Sequence, residues 1–242
     1  MAWQSSGKSN SQLINNLFKN GLIKHERVKN AMLAVDRADY CPSNPYEDSP
    51  QAIGYSATIS APHMHVHACE LLLPYLNADS RVLDVGSGSG YLTHVFANLI
   101  TDGGLASSQG TVIGIDHIKG LVDMCNTNMA KSDSGRQLLE SGKARFVLGD
   151  GRMGYPEGGP YDAIHVGAAA ETMHPTLIEQ LRAPGRMFIP VEAGGENGVR
   201  SFGLGGTQHV WVVDKKEDGT VVKEKIFGVS YVPLTDAPKE RV

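Results

Sequence analysis

The residues best placed to bind a ligand lie where an apolar segment runs into a glycine loop. Residues 82–85 read Val-Leu-Asp-Val, and Gly-Ser-Gly-Ser-Gly follows at 86–90. Glycine is needed where a backbone takes positive φ or approaches a ligand closely, and in open α/β sheets ligands bind beyond the carboxyl ends of strands. A tight strand–helix turn without a ligand is the alternative. The pattern D-x-G-x-G-x-G favours a cofactor site that includes Asp84, Gly86, Ser87, Gly88 and Gly90.

The spacing of these glycines distinguishes two classes of cofactor. A nicotinamide fingerprint, G-x-G-x-x-G, would place glycine at position 91, where this chain has Tyr91. The observed pattern is instead typical of enzymes that use S-adenosylmethionine (SAM). SAM has no pyrophosphate, and an acidic residue near the strand end can engage its ammonium group through water. We expect Asp84 to do so.

Two further strand-like segments end in acidic residues. Asp116, with His117 beside it, closes one of them, and Gly149-Asp150 follows the other. The carboxylate of Asp116 can accept hydrogen bonds from ribose hydroxyls, and that of Asp150 from an adenine amino group. Each carboxylate alone is more simply explained as a solvated loop residue. Three acidic or glycine-rich strand ends in succession predict a SAM site.

The elements that must position these residues alternate along the chain. Apolar or alternating runs predict strands at 81–85, 111–116, 144–148, 161–166, 186–191, 209–213 and 225–232. Helical periodicity predicts helices at 11–36 (with a break at Asn20-Gly21), 65–76, 91–99, 118–130 and 175–181. We expect a long ordered loop at 41–62 and surface insertions at 103–110 and 132–142.

This alternation predicts an α/β fold. We expect a doubly wound, mostly parallel seven-stranded sheet of Rossmann-like type, with an antiparallel C-terminal hairpin. The whole chain, 1–242, is predicted to form a single domain. In it, 1–78 form a helical and loop cap and 79–242 form the sheet that binds the cofactor.

Composition excludes several classes of protein. Hydrophobic residues make up 41% of the chain and charged residues 20%, which is usual for a globular protein and excludes bulk disorder. A net charge of −4 without a basic cluster argues against nucleic acid as a partner. The longest segment without Asp, Glu, Lys or Arg contains three histidines and two prolines, so no membrane span is expected.

Cysteine and histidine usage favours a reduced protein without a metal. Residues 1–10 lack the apolar core of a secretory signal, and a cytoplasmic monomer is expected. Three widely spaced cysteines without a CxxC pattern agree with this: Cys41, Cys69 and Cys125. Residues 36–40 are expected to end a helix with exposed charges. Three alternating histidines have no carboxylate or cysteine pattern that would support zinc: His63, His65 and His67.

Four segments together resemble the protein-L-isoaspartate(D-aspartate) O-methyltransferase family. They read Tyr-Ser-Ala-Thr-Ile-Ser-Ala-Pro-His-Met-His at 55–65, Leu-Asp-Val-Gly-Ser-Gly-Ser-Gly-Tyr at 83–91, Tyr-Asp-Ala-Ile-His-Val-Gly-Ala-Ala at 161–169 and Tyr-Val-Pro-Leu-Thr at 231–235. The resemblance implies a class I SAM-dependent methyltransferase fold. It also implies methylation of the α-carboxylate of L-isoaspartyl and D-aspartyl residues in damaged peptides and proteins. The ester then cyclises to succinimide, and hydrolysis returns some normal aspartate.

The same resemblance implies roles for individual residues. Ser60 corresponds to the active-site serine of the family, and Glu240 stands where the family uses a glutamine near the cofactor. Further cofactor contacts are implied for Ala57, Thr58, Ile59, His65 and Thr235. Two other functions stay open at this point. One is a methyltransferase-like adaptor without catalysis, and the other is a small-molecule carboxyl methyltransferase.

Methyl transfer to a carboxylate requires few catalytic groups. A sulfonium methyl is already activated and a carboxylate is already anionic at neutral pH, so no strong base is needed. Positioning remains, and well-oriented reactions gain about 7–11 kcal/mol from it. The Ser60 hydroxyl can donate to one carboxylate oxygen and leave the other free to attack.

Two Asn-Gly pairs make the chain a potential substrate for such an enzyme. Asn197-Gly198 lies in a glycine-rich stretch that we expect to be a mobile connection, and Asn20-Gly21 lies at a helix junction. Glycine after asparagine leaves the attacking backbone nitrogen unhindered. We therefore expect deamidation to begin at Asn197.

Overall fold

A seven-stranded mixed sheet forms the centre of the molecule. The computed structural model describes residues 5–101, 104–105, 108–192 and 208–234. The strands of the sheet are β3 (Arg81–Val85), β4 (Thr111–Asp116), β5 (Ala144–Leu148), β6 (Tyr161–Val166), β7 (Leu181–Glu192), β8 (Gln208–Lys215) and β9 (Val221–Val229). The strand order is β5-β4-β3-β6-β7-β8-β9, parallel from β5 to β7 and antiparallel from β7 to β9. This confirms the predicted fold class.

Helices and a small hairpin complete the described part of the chain. The hairpin pairs β1 (Gln51–Gly54) with β2 (Ala57–Ile59) in antiparallel orientation. The helices are α1 (Asn10–Lys19), α2 (Glu26–Leu33), α3 (Pro62–Leu72), α4 (Tyr91–Ile100), α5 (Lys119–Met129), α6 (Asp133–Glu140) and α7 (Pro175–Gln180). Among these helices, none has the length and apolar character to cross a bilayer.

The central strands are buried on both faces. Successive side chains of a strand point to opposite faces of the sheet. Val82 and Val112 accordingly join one apolar cluster, together with α1 to α4, while Leu83 and Ile113 join another that includes Leu177 of α7. Apolar runs without polar alternation therefore mark β3 and β4 as central strands.

The helical segments differ from the sequence-based expectation mainly in one place. The break predicted at Asn20-Gly21 does separate two helices, since α1 ends at Lys19 and Gly21 takes a φ of 73°. The segment 132–142, predicted as a surface insertion, contains α6. Its N-cap is Ser132, whose hydroxyl accepts a hydrogen bond from the Gly135 amide. This capping signal is polar, so hydrophobic periodicity alone overlooked the helix.

The predicted loop 41–62 contains the β1–β2 hairpin. Its two-residue connection, Tyr55-Ser56, takes φ values of 52° and 58°. Positive φ at both positions is the pattern of a type I′ turn, which is normally signalled by Asn-Gly. Tyr-Ser carries no such signal, and the left-handed conformation costs about 1–2 kcal/mol per residue.

Residue 37 is also placed differently from the expectation. Residues 36–40 were predicted to carry exposed charges, yet Arg37 has 0% exposure. It lies in a short 3₁₀ turn, Arg37–Asp39, that directs its side chain inward beneath the β2–α3 connection. Thr235, Glu240 and the pair Asn197-Gly198 lie outside the described residues.

Candidate active site

Three cavities meet beyond the carboxyl ends of β3 and β6. The outer cavity, of about 450 Å³, is lined by Ser60, His63 and Tyr231 among others. The cofactor cavity, about 250 Å³, is lined by the glycine loop and Asp116. The inner cavity, about 30 Å³, is lined by Asp84 and Ser60 among others. Two residues line all three cavities: Thr58 and Gly167.

Glycines allow the strand ends to approach each other at this junction. A Cβ on Gly167 would lie 3.0 Å from the Gly86 carbonyl oxygen. Gly86 and Gly88 take φ values of 75° and 55°, which expose their backbones to the cofactor and inner cavities. Gly90 instead is the N-cap residue of α4 and packs against Phe146 and Cys125, so it shapes the loop without lining any of the three cavities.

Asp116 lies at the carboxyl end of β4, in the wall of the cofactor cavity with His117. Its Oδ2 accepts a hydrogen bond from the Gly88 amide at 3.1 Å, and its Oδ1 accepts one from the Ile118 amide at 3.0 Å. Burial raises the pKa of the Asp116 carboxyl, and the two amides counteract part of that rise. The carboxylate thus fixes the glycine loop to β4 and still faces the cavity.

Asp84 is a buried carboxylate with two side-chain partners. The Thr93 hydroxyl donates to its Oδ2 at 2.6 Å, and Nδ1 of His165 lies 2.7 Å from its Oδ1. These contacts orient the carboxylate toward the inner cavity, which Asp84 and His165 both line. An ionised carboxylate has about four lone-pair sites, so it can accept a further donor. Sequence reasoning quoted His165 only as part of a motif and gave Thr93 no role.

Ser60 lies between β2 and α3, where the outer and inner cavities share a wall. Its carbonyl accepts a 2.8 Å hydrogen bond from Nη2 of Arg37. Nη1 of Arg37 lies 3.4 Å from Nδ1 of His65, and the guanidinium lies over the Tyr91 ring. Burial, followed by the charge of Arg37, holds the pKa of His65 well below its ordinary value. His65 is therefore neutral and can accept from Arg37.

The remaining predicted site residues divide into two groups. Ala57 and Ser87 line the cofactor and inner cavities respectively, and Ile59 and His65 also line the inner cavity. Gly149 and Asp150 line none of the three cavities. The Asp150 side chain is 42% exposed and pairs with Arg152, whose hydrogen bond lowers the pKa of the Asp150 carboxyl.

The three histidines of α3 have separate partners. Nδ1 of His63 lies 2.8 Å from Oδ1 of Asp48, His65 contacts Arg37, and the His67 ring packs against Phe227. Across the residues that the structure describes, no group of three His, Cys, Asp or Glu side chains is arranged to hold a metal ion.

The residues present fit the predicted cofactor. Two positive-φ glycines open the backbone, the Asp116 carboxylate faces the cofactor cavity, and the inner cavity continues from it to Ser60. Acidic groups facing hydroxyl and ammonium groups match the chemistry of SAM, and among the described residues that line the cofactor and inner cavities there is no Lys or Arg to bind a pyrophosphate.

Comparison with known proteins agrees with this geometry. The sequence profile of the family "Protein-L-isoaspartate(D-aspartate) O-methyltransferase (PCMT)" matches residues 8–239. The chain belongs to this family.

Individual relatives extend the match over nearly the whole chain. A protein-L-isoaspartate O-methyltransferase of Caenorhabditis elegans is 43% identical over 240 residues, covering 99% of this chain and 98% of the relative. That of Triticum aestivum is 42% identical over 234 residues, covering 96% and 94%. A crystal structure of a β-aspartate methyltransferase (PCMT) from Plasmodium falciparum with S-adenosyl-L-homocysteine has a TM-score of 0.82 and 33% identity, and the match covers 95% of this chain and 99% of that one.

Membership of the PCMT family confirms the predicted enzyme class and cofactor. The reaction is SAM-dependent methylation of isoaspartyl residues, a step in protein repair. The adaptor and small-molecule alternatives are thereby set aside.

Proposed function

We propose that Ser60 orients the α-carboxylate of an L-isoaspartyl or D-aspartyl residue for methyl transfer at the junction of the three cavities. One observation carries this assignment: Ser60 lines both the outer cavity and the inner cavity. An acceptor that enters through the outer cavity therefore reaches Ser60 at the wall shared with the inner cavity. The cofactor cavity lies beyond that wall.

SAM supplies a methyl group that its sulfonium already activates, so the side chains need to bind, orient and exclude water. The Ser60 hydroxyl donates to one oxygen of the acceptor carboxylate and leaves the other free to attack. Arg37 holds the Ser60 backbone in place, and His65 contacts the same guanidinium. Orientation of this kind can supply about 7–11 kcal/mol of the barrier reduction.

The cofactor would be held by residues on both sides of the junction. Asp116 would accept hydrogen bonds from ribose hydroxyls, the glycine loop would contact the cofactor through its backbone, and Asp84 would accept from the ammonium group. Ala57 and Thr58 of β2 close the same cavity from the cap. Thr235, the last residue of the Val-Pro-Leu-Thr motif, is a further proposed contact.

The outer cavity suits an extended peptide. It opens between Pro50 of the cap and the segment after β9, and Met64 and Val229 add apolar surface. We propose that peptides and proteins with isoaspartyl residues are its ligands, and that the enzyme acts as a cytoplasmic monomer. The free state of the three buried cysteines supports a reducing compartment.

The test compares methyl transfer from labelled SAM to an isoaspartyl peptide and to its normal aspartyl twin. We expect label in the isoaspartyl peptide only. Ser60→Ala should lower kcat about tenfold to a hundredfold, which corresponds to a lost hydrogen bond to a charged group of about 1.5–3 kcal/mol. Cofactor affinity, measured by calorimetry, should change less than twofold.

Ser134→Ala is the matched control, because Ser134 is exposed on α6 and lines none of the three cavities. It should leave both quantities unchanged. Equal labelling of the two peptides would contradict the proposed substrate. Full turnover by Ser60→Ala would assign orientation to backbone groups of the same loop.

A further inference from the structure

A second hydroxyl, that of Tyr231, lies in the outer cavity beside Ser60. Both residues line this cavity, and the phenol lies within hydrogen-bonding reach of the Ser60 side chain. Burial raises the pKa of Tyr231, and the Ser60 hydroxyl counteracts part of that rise. The phenol is therefore a protonated hydrogen-bond donor at neutral pH.

The backbone of Tyr231 is fixed by hydrogen bonds to the side chain of Gln208. The amide of Tyr231 donates to Oε1 of Gln208 at 2.5 Å, and Nε2 of Gln208 donates to the Tyr231 carbonyl at 3.2 Å. Gln208 begins β8, which lies between β7 and β9, so its side-chain amide fixes residue 231 to the central sheet.

The residues after Tyr231 are fixed to a second element. The Val232 carbonyl accepts from the Ala169 amide at 2.8 Å, and the Leu234 amide donates to the Ala169 carbonyl at 2.7 Å. Ala169 follows β6, the strand whose end forms the junction of the cavities. A phenol on a segment fixed at two points pays little conformational entropy when a ligand binds.

We propose that Tyr231 and Ser60 form a two-hydroxyl clamp that grips a single oxygen of the acceptor carboxylate in the outer cavity. This proposal rests on the proposed function and adds a second substrate-contacting residue to it. Two donors within reach of each other can converge on one acceptor atom, as paired donors do in an oxyanion hole. Their convergence leaves the other carboxylate oxygen without a donor and free to attack the methyl group.

The two hydroxyls of the clamp have different effects. Ser60, which also lines the inner cavity, directs the free carboxylate oxygen toward the methyl group and so acts on kcat, whereas Tyr231 lines the outer cavity and acts mainly on acceptor binding. The acceptor carboxylate loses negative charge as the ester forms, so hydrogen bonds to it are strongest before transfer. Interactions that are as strong in the ground state as in the transition state lower KM without raising kcat. Loss of the phenol hydroxyl should therefore appear in the KM for the peptide.

The experiment measures the kinetics of Tyr231→Phe with an isoaspartyl peptide and saturating SAM. We expect the KM for peptide to rise about tenfold or more, with kcat within threefold and the KM for SAM unchanged. Tyr155→Phe is the matched control, because Tyr155 is likewise partly buried and lines none of the three cavities. A Tyr231→Phe enzyme with the wild-type KM for peptide would overturn the clamp.

A double-mutant cycle with Ser60→Ala distinguishes direct contact from support of Ser60. If the phenol touches the carboxylate, Tyr231→Phe still raises the KM for peptide at least threefold in the Ser60→Ala background. No effect in that background would show that Tyr231 acts only through Ser60, and would overturn the clamp. Wild-type enzyme that methylates no isoaspartyl peptide would refute the proposed function itself, an outcome separate from these.

Discussion

The guanidinium of Arg37 donates a 2.8 Å hydrogen bond to the carbonyl of Ser60 from a position with 0% exposure. A buried cation thus holds the backbone of the residue that we propose to orient the acceptor carboxylate. Its Nε has no hydrogen-bond partner within the described residues. Burying a charge costs several kcal/mol after relaxation, so stability alone does not explain this arginine.

Arg37→Met tests whether this cation serves activity at the expense of stability. Methionine preserves most of the buried volume and removes the charge. We expect kcat to fall about tenfold or more as the Ser60 loop loses a charged donor, while the free energy of unfolding stays equal or rises. Arg27→Met is the control: Arg27 donates to the carbonyls of Leu76 and Leu99, away from the cavities, so it should lower stability and leave kcat intact. Unchanged kcat in Arg37→Met would contradict the role of Arg37.

Asp116 should make cofactor affinity and fold stability respond to pH with opposite signs. Because its pKa is raised, this carboxyl is protonated at a higher pH than that of an ordinary aspartate. Loss of the ionised acceptor would weaken the hydrogen bonds that we propose between Asp116 and the cofactor, so cofactor affinity should fall as pH decreases toward that pKa. In the free enzyme, the folded state binds the proton more readily than the unfolded chain, so the contribution of Asp116 to the free energy of unfolding rises over the same range.

Two measurements from pH 7.5 to pH 4.5 check the direction of each effect. Calorimetric titration with S-adenosylhomocysteine gives the affinity, and urea unfolding of the free protein gives the stability. Asp116→Asn is the reference, because it cannot titrate at this position. The difference between wild type and variant should show affinity falling and stability rising. If cofactor affinity depended on pH identically in the two proteins, Asp116 would not belong to the cofactor site.

Gly120→Ala should strengthen helix α5 and weaken cofactor binding. A Cβ at this position would lie 2.4 Å from the Tyr55 ring, which lines the cofactor cavity from the hairpin turn. Alanine is better than glycine in a helix by about 0.5–1 kcal/mol, and an exposed ring can move aside. We expect equal or higher stability and an affinity for S-adenosylhomocysteine reduced severalfold.

Tyr55→Ala, alone and combined with Gly120→Ala, is the control for this prediction. Without the ring there is no clash, so Gly120→Ala should have no further effect on affinity in the Tyr55→Ala background. An effect of the same size in both backgrounds would show that Gly120 contributes to the site independently of Tyr55.

Deamidation on ageing should begin at Asn197 rather than at Asn20. Succinimide formation at Asn20 requires attack by the Gly21 amide, which donates to the Phe18 carbonyl at 3.0 Å. The Asn20 side chain is also held, since its Nδ2 donates to Ser5 Oγ at 3.0 Å. Asn197 instead stands in a glycine-rich sequence and is followed by Gly198, so the attacking amide carries no neighbouring side chain.

Peptide mapping of aged protein after incubation with labelled SAM locates the isoaspartate. We expect label at Asn197, transferred by a second molecule. Ser5→Ala should increase isoaspartate at Asn20 and leave Asn197 unchanged. Isoaspartate accumulating at Asn20 before Asn197 in the unaltered chain would contradict the prediction.

The sequence by itself determined the sheet and the family. Central strands such as Arg81–Val85 and Thr111–Asp116 are buried on both faces, so each appears as a short apolar run with boundaries that match the structure. The glycine loop is equally easy to recognise in the sequence, because positive φ at Gly86 and Gly88 strongly favours glycine at those positions. These are local constraints, and each depends on a few consecutive residues.

Only the tertiary structure decided how the site is supported. Arg37 and Ser60 are 23 residues apart, and Asp84 and His165 are 81 residues apart. A charged residue in a polar segment carries no local sign that it will be buried, and Arg37 was predicted to be exposed for that reason. Gly90 and Asp150 fit the cofactor pattern equally well, yet packing turns the first toward Cys125 and an ion pair holds the second beside Arg152. Periodicity and turn chemistry depend on neighbours in sequence, whereas the burial and partners of a polar side chain depend on what the folded chain brings to it.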